Sequence, residues 1–438
     1  MTYADIEHAP AILLAGLDAE QEVPILHLRI RKAAARGAKV FVVHPRRTRL
    51  HDVAEHLPTR PGREVFVLDR IREGVDDGSF EARAGAALRD AGGEGVVLAG
   101  ERLAEHPLAA DLALAVASKI GSRFGYATRR ANDRGALSAG VHPLLLPGGR
   151  RFGVAEERAE VEAVWGPIMA SEEGRDAQEI LRACADRSVD VLFVVGADPL
   201  RDHPDAVLAR RALANVATLV VQSVELGSLE PFASVFLPAA PAVEKDGHLT
   251  DWEGRWQRIR PVRGALGISR PDWEIFAGLA AAMGSDLGFE TLEELHEEMA
   301  SLFAPRVMPE RPNVWAGAGA PQWLDDLTLF TYPLLVDEGR LSDRAEELKA
   351  ALEEPAYAEM HPVDAEKRDL VDGVRVRLTT AAGDATVPLR VTEHVAAGSV
   401  FVPFNQPGLA ANTLLSGRST ASVTVEAVTS AVQEEARA

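Results

Sequence analysis

The chain has 438 residues, of which 47% are hydrophobic and 26% are charged, and its formal net charge is −19. This length and composition predict a soluble globular protein of two or three domains. The negative charge excludes a broad basic field of the kind that binds nucleic acid or an anionic lipid surface.

Cys184 is the only cysteine of the chain. One thiol cannot form an internal disulfide framework, a cysteine-based zinc site or an iron–sulfur cluster. No apolar run approaches the roughly 20 residues that span a bilayer, and no basic n-region precedes an apolar stretch at the N-terminus. We therefore expect a cytoplasmic chain with no targeting segment and no membrane insertion.

The first elements alternate between strands and helices. Apolar runs predict strands, and patterns of period 3.6 predict helices: strands over 11–16, 38–45 and 95–100, and helices over 24–37 and 106–121. Two consecutive strands joined by a helix form a βαβ unit, which predicts a doubly wound parallel sheet. We assign this first α/β lobe to residues 1–152.

A second set of elements follows the same pattern. Strands are predicted over 189–199, 217–223 and 233–240, and helices over 205–216, 270–284 and 291–303. Thr291 and Glu294 have the spacing of a capping box. The strand and turn at 193–204 resemble those at 13–24, because each strand ends in Gly and is followed by an acid and later by Pro. We therefore predict a second, duplicated lobe over 153–303, which includes a hairpin at 244–257.

The remaining chain changes character. Scattered Pro, Gly and Trp predict a connector over 304–354. Alternating apolar and charged residues then predict strands over 373–380, 385–393 and 398–404, the first two joined by a turn at 381–384. The prediction is a small all-β domain over 355–438, built as a barrel. The fold class is therefore α/β, with two nucleotide-binding-like lobes followed by this barrel.

An ordered series of motifs runs through these elements. In chain order they are GLDAEQEVPI, GAKVFVVHPRRT, HLPTRPG, NDRGALSAGVHPLLLPG, VVGADPL, VVQSVELGSLEPFASVFLPAA, EKDGHLTDWEGRWQ, RPDWEIFAGLA, EMHPVDAEKRDLVDGVRVRL and VTEHVAAGSVFVPF. The series resembles the molybdopterin oxidoreductase superfamily over nearly the whole chain. Within that superfamily it is most similar to the C-terminal region of the G subunit of NADH-quinone oxidoreductase, respiratory complex I.

This resemblance implies that the first lobe is truncated at its N-terminus relative to the family. The iron–sulfur clusters of the G subunit would then lie in the missing N-terminal half or in a partner chain. In cofactor-binding relatives, the two strand-end turns hold the pyrophosphates of molybdopterin guanine dinucleotide. The positions that would contact this cofactor, if it binds, are Gly16, His44, Arg46, Gly196, Asp198, Arg201, Glu244, Lys245, Gly247, Gly254 and Arg255.

The first turn departs from an anion-binding pattern, because it carries Asp18, Glu20 and Glu22. At about 5 Å and an effective dielectric constant near 20, each pair of like charges costs about 3 kcal/mol. A helix N-terminus offsets only about 0.3–1 kcal/mol of that cost. His44 is a second departure, since the family usually has an acid there, which can accept hydrogen bonds from a guanine edge.

The hairpin at 244–257 also departs from the family pattern. Asp251 stands where the family commonly has Asn, and Trp252 and Trp256 replace smaller side chains, so the indoles would fill the cofactor cleft. We expect the hairpin to be an architectural plug; contact with a cofactor is the alternative. The loop 132–135 is either a tight turn or a ligand loop, and the turn is favoured. Asp52 and His56 share a helical face at a spacing of four residues, but the histidines within 44–56 supply no ligand set, so a solvated loop and a helix start are predicted there rather than a metal site.

The expected role is a scaffold that supports electron transfer from NADH to quinone and carries no redox centre and no cofactor of its own. Its partners would be the cluster-bearing half of the G subunit and other subunits of the peripheral arm, at the cytoplasmic face of the membrane. The alternative is the cofactor-binding portion of a molybdopterin guanine dinucleotide oxidoreductase such as a formate dehydrogenase. Under that alternative the chain is part of a molybdenum enzyme.

Overall fold

The computed structural model describes residues 1–106, 108–265, 267–303, 327–339 and 344–428. The chain divides into two compact units. Unit 1 joins Met1–Arg129 to Asn313–Ala438, and unit 2 is Arg130–Pro312. The four predicted segments do not coincide with these units, because the first lobe and the C-terminal sheet share one unit. Much of the predicted connector lies outside the described residues.

The described residues form the following elements. The strands are β1 Ala11–Ala15, β2 Lys39–His44, β3 Glu55–Pro58, β4 Val96–Ala99, β5 Arg123–Tyr126, β6 Leu145–Leu146, β7 Arg150–Arg151, β8 Val191–Val195, β9 Thr218–Ser223, β10 Val235–Pro238, β11 Gly247–Thr250, β12 Trp256–Ile259, β13 Thr328–Phe330, β14 Ala358–Met360, β15 Arg375–Thr379, β16 Asp384–Val391, β17 Ser399–Phe401, β18 Thr420–Ser422 and β19 Thr424–Ala427. The helices are α1 Tyr3–Glu7, α2 Ala19–Glu22, α3 Pro24–Ala35, α4 Glu64–Glu73, α5 Phe80–Ala91, α6 Ala109–Ile120, α7 Asp133–Ser138, α8 Ala155–Trp165, α9 Ala177–Ala185, α10 Pro199–Asp202, α11 Ala206–Asn215, α12 Asp272–Ala282, α13 Leu292–Leu302, α14 Glu346–Leu352 and α15 Pro362–Glu366.

The first sheet of unit 1 has the strand order β3-β2-β1-β4-β5, and all of its pairs are parallel. Its central strands are uninterrupted apolar runs because both faces of a parallel sheet are covered. Residues Ala11, Leu13 and Ala15 of β1 share a core with side chains of α4, α5 and α6. The doubly wound parallel sheet predicted from the sequence is confirmed.

The sheet of unit 2 is also parallel and has the order β10-β9-β8. Helices α9 and α11 cover one of its faces, and Cys184 is buried in that core. The predicted capping box of α13 is present, with reciprocal hydrogen bonds between Thr291 and Glu294. Strands β11 and β12 pair antiparallel, which confirms the predicted hairpin and extends it two residues past its predicted end, to Ile259.

The C-terminal sheet of unit 1 has seven strands in the order β18-β13-β17-β14-β16-β15-β19. Its two edge strands, β18 and β19, are separated in the chain by Val423 alone. A single residue can join both edges only if the sheet curls round on itself, so the predicted barrel is confirmed. The turn at 381–384 joins the antiparallel pair β15 and β16, also as predicted.

Candidate functional site at the strand-end turns

Each α/β sheet has a turn at the end of its first strand, and both turns begin with a glycine in the left-handed region. The φ angle is 61° at Gly16 and 58° at Gly196, a conformation that favours glycine over other residues. A Cβ at Gly16 would lie 2.9 Å from a methyl carbon of Leu103, whereas a Cβ at Gly196 would meet no atom within 4 Å. The first turn is therefore closely packed, and the second is open.

In the first turn, a carboxylate of the chain bonds the backbone amide. The N–H of Asp18 donates to Oε2 of Glu22 at 2.8 Å. Both side chains are buried, with exposed fractions of 2% and 5%. Glu20, the third predicted acid, is part-exposed and lies 3.6 Å from Nε of Arg49. Two of the three acids therefore face inward, and the third is on the surface.

The second turn repeats this arrangement. The N–H of Asp198 donates to Oδ2 of Asp202 at 3.1 Å. The carboxylate of Asp198 accepts the N–H of Leu200 at 3.1 Å and the hydroxyl of Ser228 at 2.7 Å. Each turn therefore satisfies its amide with an acid four residues further along the chain. The predicted duplication extends to this hydrogen bond.

Arg46 follows β2 and is the centre of a buried polar cluster in unit 1. Its Nε and Nη2 bond the two carboxylate oxygens of Glu359 at 2.7 and 2.9 Å. Nη1 donates to the hydroxyl of Tyr332 at 3.3 Å, and Nη2 donates to that of Tyr357 at 3.4 Å. Tyr332 in turn donates to Oδ2 of Asp18 at 3.0 Å. We call these five residues the Arg46 cluster.

Burial changes the proton affinity of the groups around this cluster. It raises the pKa of Asp18, against the opposing effect of Arg46. It raises the pKa of Glu22 to about 7. It lowers the pKa of His44 well below its usual value, and the nearby Arg102 acts in the same direction. Removing a charged form from water costs free energy, so each group is held toward its neutral form.

His44, which stands where the family usually has an acid, is completely buried. Its Nδ1 lies 3.0 Å from the backbone N of Arg46, and its ring packs edge-on against Tyr332 at 5.6 Å between centroids. These contacts place His44 in the packing beneath the Arg46 cluster. They give it a structural role in holding the loop that carries Arg46.

The remaining predicted positions lie in unit 2, where three of them are held by ion pairs. Glu244 is buried and accepts from Nε and Nη2 of Arg263 at 2.9 and 2.5 Å. Lys245 bonds Asp272 at 2.5 Å. Arg255 bonds Asp251 at 2.9 Å. Of the other three, Arg201 lies in α10, Gly247 begins β11, and Gly254 forms the hairpin turn with φ of 87°.

The hairpin packs on α13 through an aromatic group. His248 contacts His296 with 3.1 Å between Nδ1 and Nε2, and the ring of Trp256 lies 5.3 Å from His248 and 5.8 Å from Phe303. Trp256 remains 39% exposed. The indole that we expected to fill a cleft therefore contacts an element of its own unit.

The loop 132–135 also bonds the hairpin. Oδ1 of Asn132 accepts the N–H of Thr250 at 2.8 Å, and Nη1 of Arg134 donates to the carbonyl of Trp252 at 2.7 Å. A Cβ at Gly135 would lie 2.1 Å from Oδ1 of Asn132. The loop is thus the start of α7 and binds the hairpin backbone within unit 2.

Replacing Asn132 with alanine is expected to lower the free energy of unfolding by about 1–3 kcal/mol, because the amide of Thr250 loses its acceptor. Chemical denaturation would measure the loss, and hydrogen exchange at 250–256 would localise it. The variant Asn132→Asp keeps the acceptor oxygen and is expected to retain most of the stability. Equal losses in the two variants would contradict this role of Asn132.

Sequence reasoning missed Arg102, Tyr332, Tyr357 and Glu359. Arg102 is buried, donates to the carbonyl of Thr331 at 3.3 Å and lies over the rings of Phe330 and Tyr332. These residues are about 230 to 310 positions from their partners in the chain, so no local pattern joins them. The one available signal was a lone acid inside the apolar strand β14, since buried acids need partners.

The first turn does not fit a dinucleotide pyrophosphate. A phosphate there needs unoccupied backbone N–H groups and a nearby base. The amide of Asp18 is bonded by Glu22, Arg46 is bonded by Glu359, and two buried carboxyl groups occupy the turn. The second turn has the same self-bonded amide, but the space around Gly196 is open.

The described residues contain neither a candidate metal site nor a candidate membrane span. Among the residues that the structure describes, no three His, Cys, Asp or Glu side chains form a group that could hold a metal ion. Within the same ranges, no helix combines the length and the apolar character needed to cross a membrane.

Comparison with known proteins gives matches over most of the chain. Residues 1–71 and 91–282 match the model of the family Molybdopterin oxidoreductase, and residues 340–435 match that of the Molydopterin dinucleotide binding domain. The G subunit of NADH-quinone oxidoreductase from Mycobacterium tuberculosis is 36% identical over 93% of this chain and 50% of its own length. Its counterpart in Streptomyces coelicolor is 34% identical over 93% of this chain and 49% of its own length.

Among solved structures, acetylene hydratase from Pelobacter acetylenicus matches with a TM-score of 0.59 and 15% identity, over 97% of this chain and 78% of that one. At this identity the likeness shows the fold alone. The chain spans about half the length of the two curated relatives above. The family match covers more than half of the chain and agrees with two relatives above 30% identity. The chain therefore belongs to the molybdopterin oxidoreductase family.

Proposed function

We propose that this chain is the scaffold region of the G subunit of an NADH-quinone oxidoreductase, and that it supports electron transfer from NADH to quinone without carrying a redox centre. Its likeness to G subunits over 93% of its length supports this role. Its partners would be the cluster-bearing half of the G subunit and neighbouring subunits of the peripheral arm, at the cytoplasmic face of the membrane. A single buried cysteine cannot ligate a cluster.

The observation that best supports the proposal is that the backbone amides of the strand-end turns are already hydrogen-bonded. In both turns the amide that could bind a phosphate bonds a carboxylate of the chain itself. In unit 1 the base that acts on Asp18, Arg46, forms a two-point ion pair with Glu359. Groups that already bond acids of the chain are not available to an anionic cofactor. The Arg46–Glu359 pair also ties the first sheet to the C-terminal sheet.

The assembled complex tests this role. Deleting the coding sequence of the chain is expected to reduce the amount of assembled complex, because a scaffold stabilises its neighbours. Native electrophoresis with an NADH-dependent activity stain would measure the amount, and quinone reduction per assembled complex would measure turnover. Restoring the full chain is the control. Full assembly at a normal rate without the chain would contradict the proposal.

The second candidate is the cofactor-binding portion of a molybdopterin guanine dinucleotide oxidoreductase, such as a formate dehydrogenase. Two observations favour it: the match of 340–435 to a dinucleotide-binding domain, and the open space at Gly196. Under this candidate, the second turn would hold the pyrophosphate, and the cofactor would supply the redox chemistry.

Elemental and nucleotide analysis separates the two candidates. The scaffold role predicts that the purified chain and complex contain molybdenum far below one atom per chain, and that acid treatment releases no guanine nucleotide. Near-stoichiometric molybdenum together with guanine nucleotide would establish the second candidate and end the first. Protein expressed in molybdate-rich medium serves as the control for cofactor supply.

A further inference from the structure

The β11–β12 hairpin contacts α13 through aromatic rings on one of its faces. His248 and Trp256 are diagonal neighbours on that face, because Trp256 pairs with Thr250, two residues after His248. Their rings lie 5.3 Å apart between centroids, with 32° between the planes. Helix α13 places the ring of His296 against both, 4.4 Å from that of His248 and 6.2 Å from that of Trp256. Two imidazoles from separate elements therefore meet beside an indole.

The polar part of this contact is a hydrogen bond between the two imidazoles. Nδ1 of His248 lies 3.1 Å from Nε2 of His296, and the ring planes are 80° apart. One of these nitrogens must donate and the other must accept, and a neutral imidazole has one nitrogen of each kind. The bond can therefore form when both rings are neutral. It can also form when one ring is protonated, and the charged donor then strengthens it.

Protonation of both rings removes this bond. An imidazolium has two N–H donors and no acceptor, so two of them cannot bond each other. Two positive charges at hydrogen-bond distance also repel, and both side chains are only part-exposed, so water screens the repulsion incompletely. The contact therefore accepts one extra proton but not two.

The hairpin itself carries an acid and a base close to the pair. Arg258 donates to the two carboxylate oxygens of Asp246 at 2.9 and 2.5 Å, so the acid is already paired. Burial lowers the pKa of His296, and the charges of His248 and Arg258 act in the same direction. The charge of Asp246 opposes them. The net effect holds His296 toward its neutral form.

The elements that pack against the hairpin bring three further charged groups. Helix α7 packs on β11 and carries Asp133, which accepts a backbone N–H at 3.1 Å. It also carries Arg134, which donates to the carbonyl of Trp252 at 2.7 Å. On α13, Glu293 lies one turn before the histidine of that helix and is exposed. Within the described part of unit 2, none of these groups bonds either imidazole, so the protons on the pair decide its hydrogen bond.

We propose that the His248–His296 contact is a pH-sensitive switch, which holds the hairpin on α13 while at most one ring is protonated and releases it when both are. The bonds from Asn132 and Arg134 to the hairpin contain no group that titrates near neutral pH. Release therefore frees only the side of the hairpin that contacts α13. It exposes more of Trp256, which is 39% exposed in the closed contact. The switch operates under either candidate function.

The switch releases the hairpin as the pH falls. A free histidine has a pKa of about 6.5, and the pKa of His296 in the contact is lower. The released state therefore binds more protons than the closed state once the pH falls below about 7. Each additional proton multiplies the ratio of released to closed protein by about ten per pH unit. The contact is stable above about pH 7 and weakens as the pH falls through about 6.5.

Hydrogen exchange of the full chain between pH 7.5 and pH 5 tests the release. An isolated two-stranded hairpin is marginally stable in water, so the amides of 247–250 and 256–259 are expected to lose protection when the hairpin leaves α13. After correction for the intrinsic effect of pH on exchange, we expect these amides to exchange about 10-fold faster at pH 5 than at pH 7.5, relative to those of β9 in the same unit. An unchanged ratio would overturn the proposal.

Two amide side chains can replace the imidazoles without a titrating group. In the double variant His248→Asn with His296→Gln, the Asn amide lies near the position of Nδ1 and the Gln amide near that of Nε2, and both can donate and accept at every pH. This variant is expected to keep its protection at pH 7.5 and to reduce the pH effect below about 2-fold. The matched control is His142→Asn, which alters an exposed histidine of the same unit whose Nδ1 accepts the N–H of Leu144 at 3.1 Å. It is expected to retain the full pH effect.

Each outcome supports or overturns the switch. A double variant that keeps the full pH effect would show that other groups cause it, and the proposal would be wrong. If the double variant does not fold at pH 7.5 by circular dichroism, titration of the unaltered chain with 15N-labelled histidine decides. His248 and His296 are expected to titrate in two coupled steps, separated by at least about one pH unit. Two independent steps near pH 6.5, the ordinary value of about 6.5 for histidine, would contradict the coupling.

Discussion

Replacing Arg46 with methionine is expected to lower the free energy of unfolding by about 3–5 kcal/mol, because it leaves the carboxylate of Glu359 buried without a partner. The side chains of this pair are 18% and 7% exposed, and two tyrosine hydroxyls lose a donor as well. Urea denaturation of the full chain, followed by circular dichroism, would measure the loss.

Two control variants separate the effect of burying the ion pair from the effect of removing one charge. Arg377 pairs with Asp384 in the same unit, but their side chains are 55% and 52% exposed, so Arg377→Met is expected to cost less than about 1 kcal/mol. Adding Glu359→Leu to Arg46→Met removes the unpaired charge and should recover much of the stability. Equal losses for Arg46→Met and Arg377→Met would show that the Arg46 cluster does not stabilise the fold.

Replacing Glu22 with glutamine is expected to stabilise the protein at pH 8 by about 3 kcal/mol and to have little effect near pH 4. Burial raises the pKa of Glu22 from 4.5 to about 7, so the native state holds a proton that the unfolded chain has released between these values. This stabilisation is complete below about pH 4 and is lost as the pH rises through 7. Glutamine keeps the acceptor for the amide of Asp18 and carries no charge to bury.

The measurement is a series of denaturation curves from pH 4 to pH 8 for the two proteins. The control is Glu20→Gln, which changes the part-exposed acid of the same turn and is expected to shift stability by less than about 0.5 kcal/mol at every pH. A constant difference between Glu22→Gln and the unaltered chain across this range would refute the proton linkage.

The sheets were predictable because their patterns are local. The apolar runs of β1, β2 and β4 are short and bounded by turn residues, and both faces of a parallel sheet need such runs. The cap of α13 was predictable from Thr291 and Glu294, three residues apart. The duplication was predictable from the two glycine turns, since each turn needs a positive φ angle at the same place.

Other local predictions failed where tertiary contacts decide. The segment 44–56 suggested a helix start at Asp52 and His56, but residues 55–58 form β3 at the edge of the first sheet, parallel to β2. Likewise, no local pattern predicted the contacts of Trp256 with His296 and Phe303; that the indoles fill the cofactor cleft stays a prediction. In each case, a neighbour that is distant in sequence selected the conformation.

The sequence by itself determined the family, the two parallel sheets, the C-terminal barrel and the acids at the first strand-end turn. Only the tertiary structure decided what those acids do: Glu22 bonds the amide of Asp18, Tyr332 bonds its carboxylate, and Glu359 holds Arg46. The reason is that secondary structure follows from patterns within a few residues. The charge state and partner of a buried polar group depend instead on residues about 310 positions away, which no local pattern specifies.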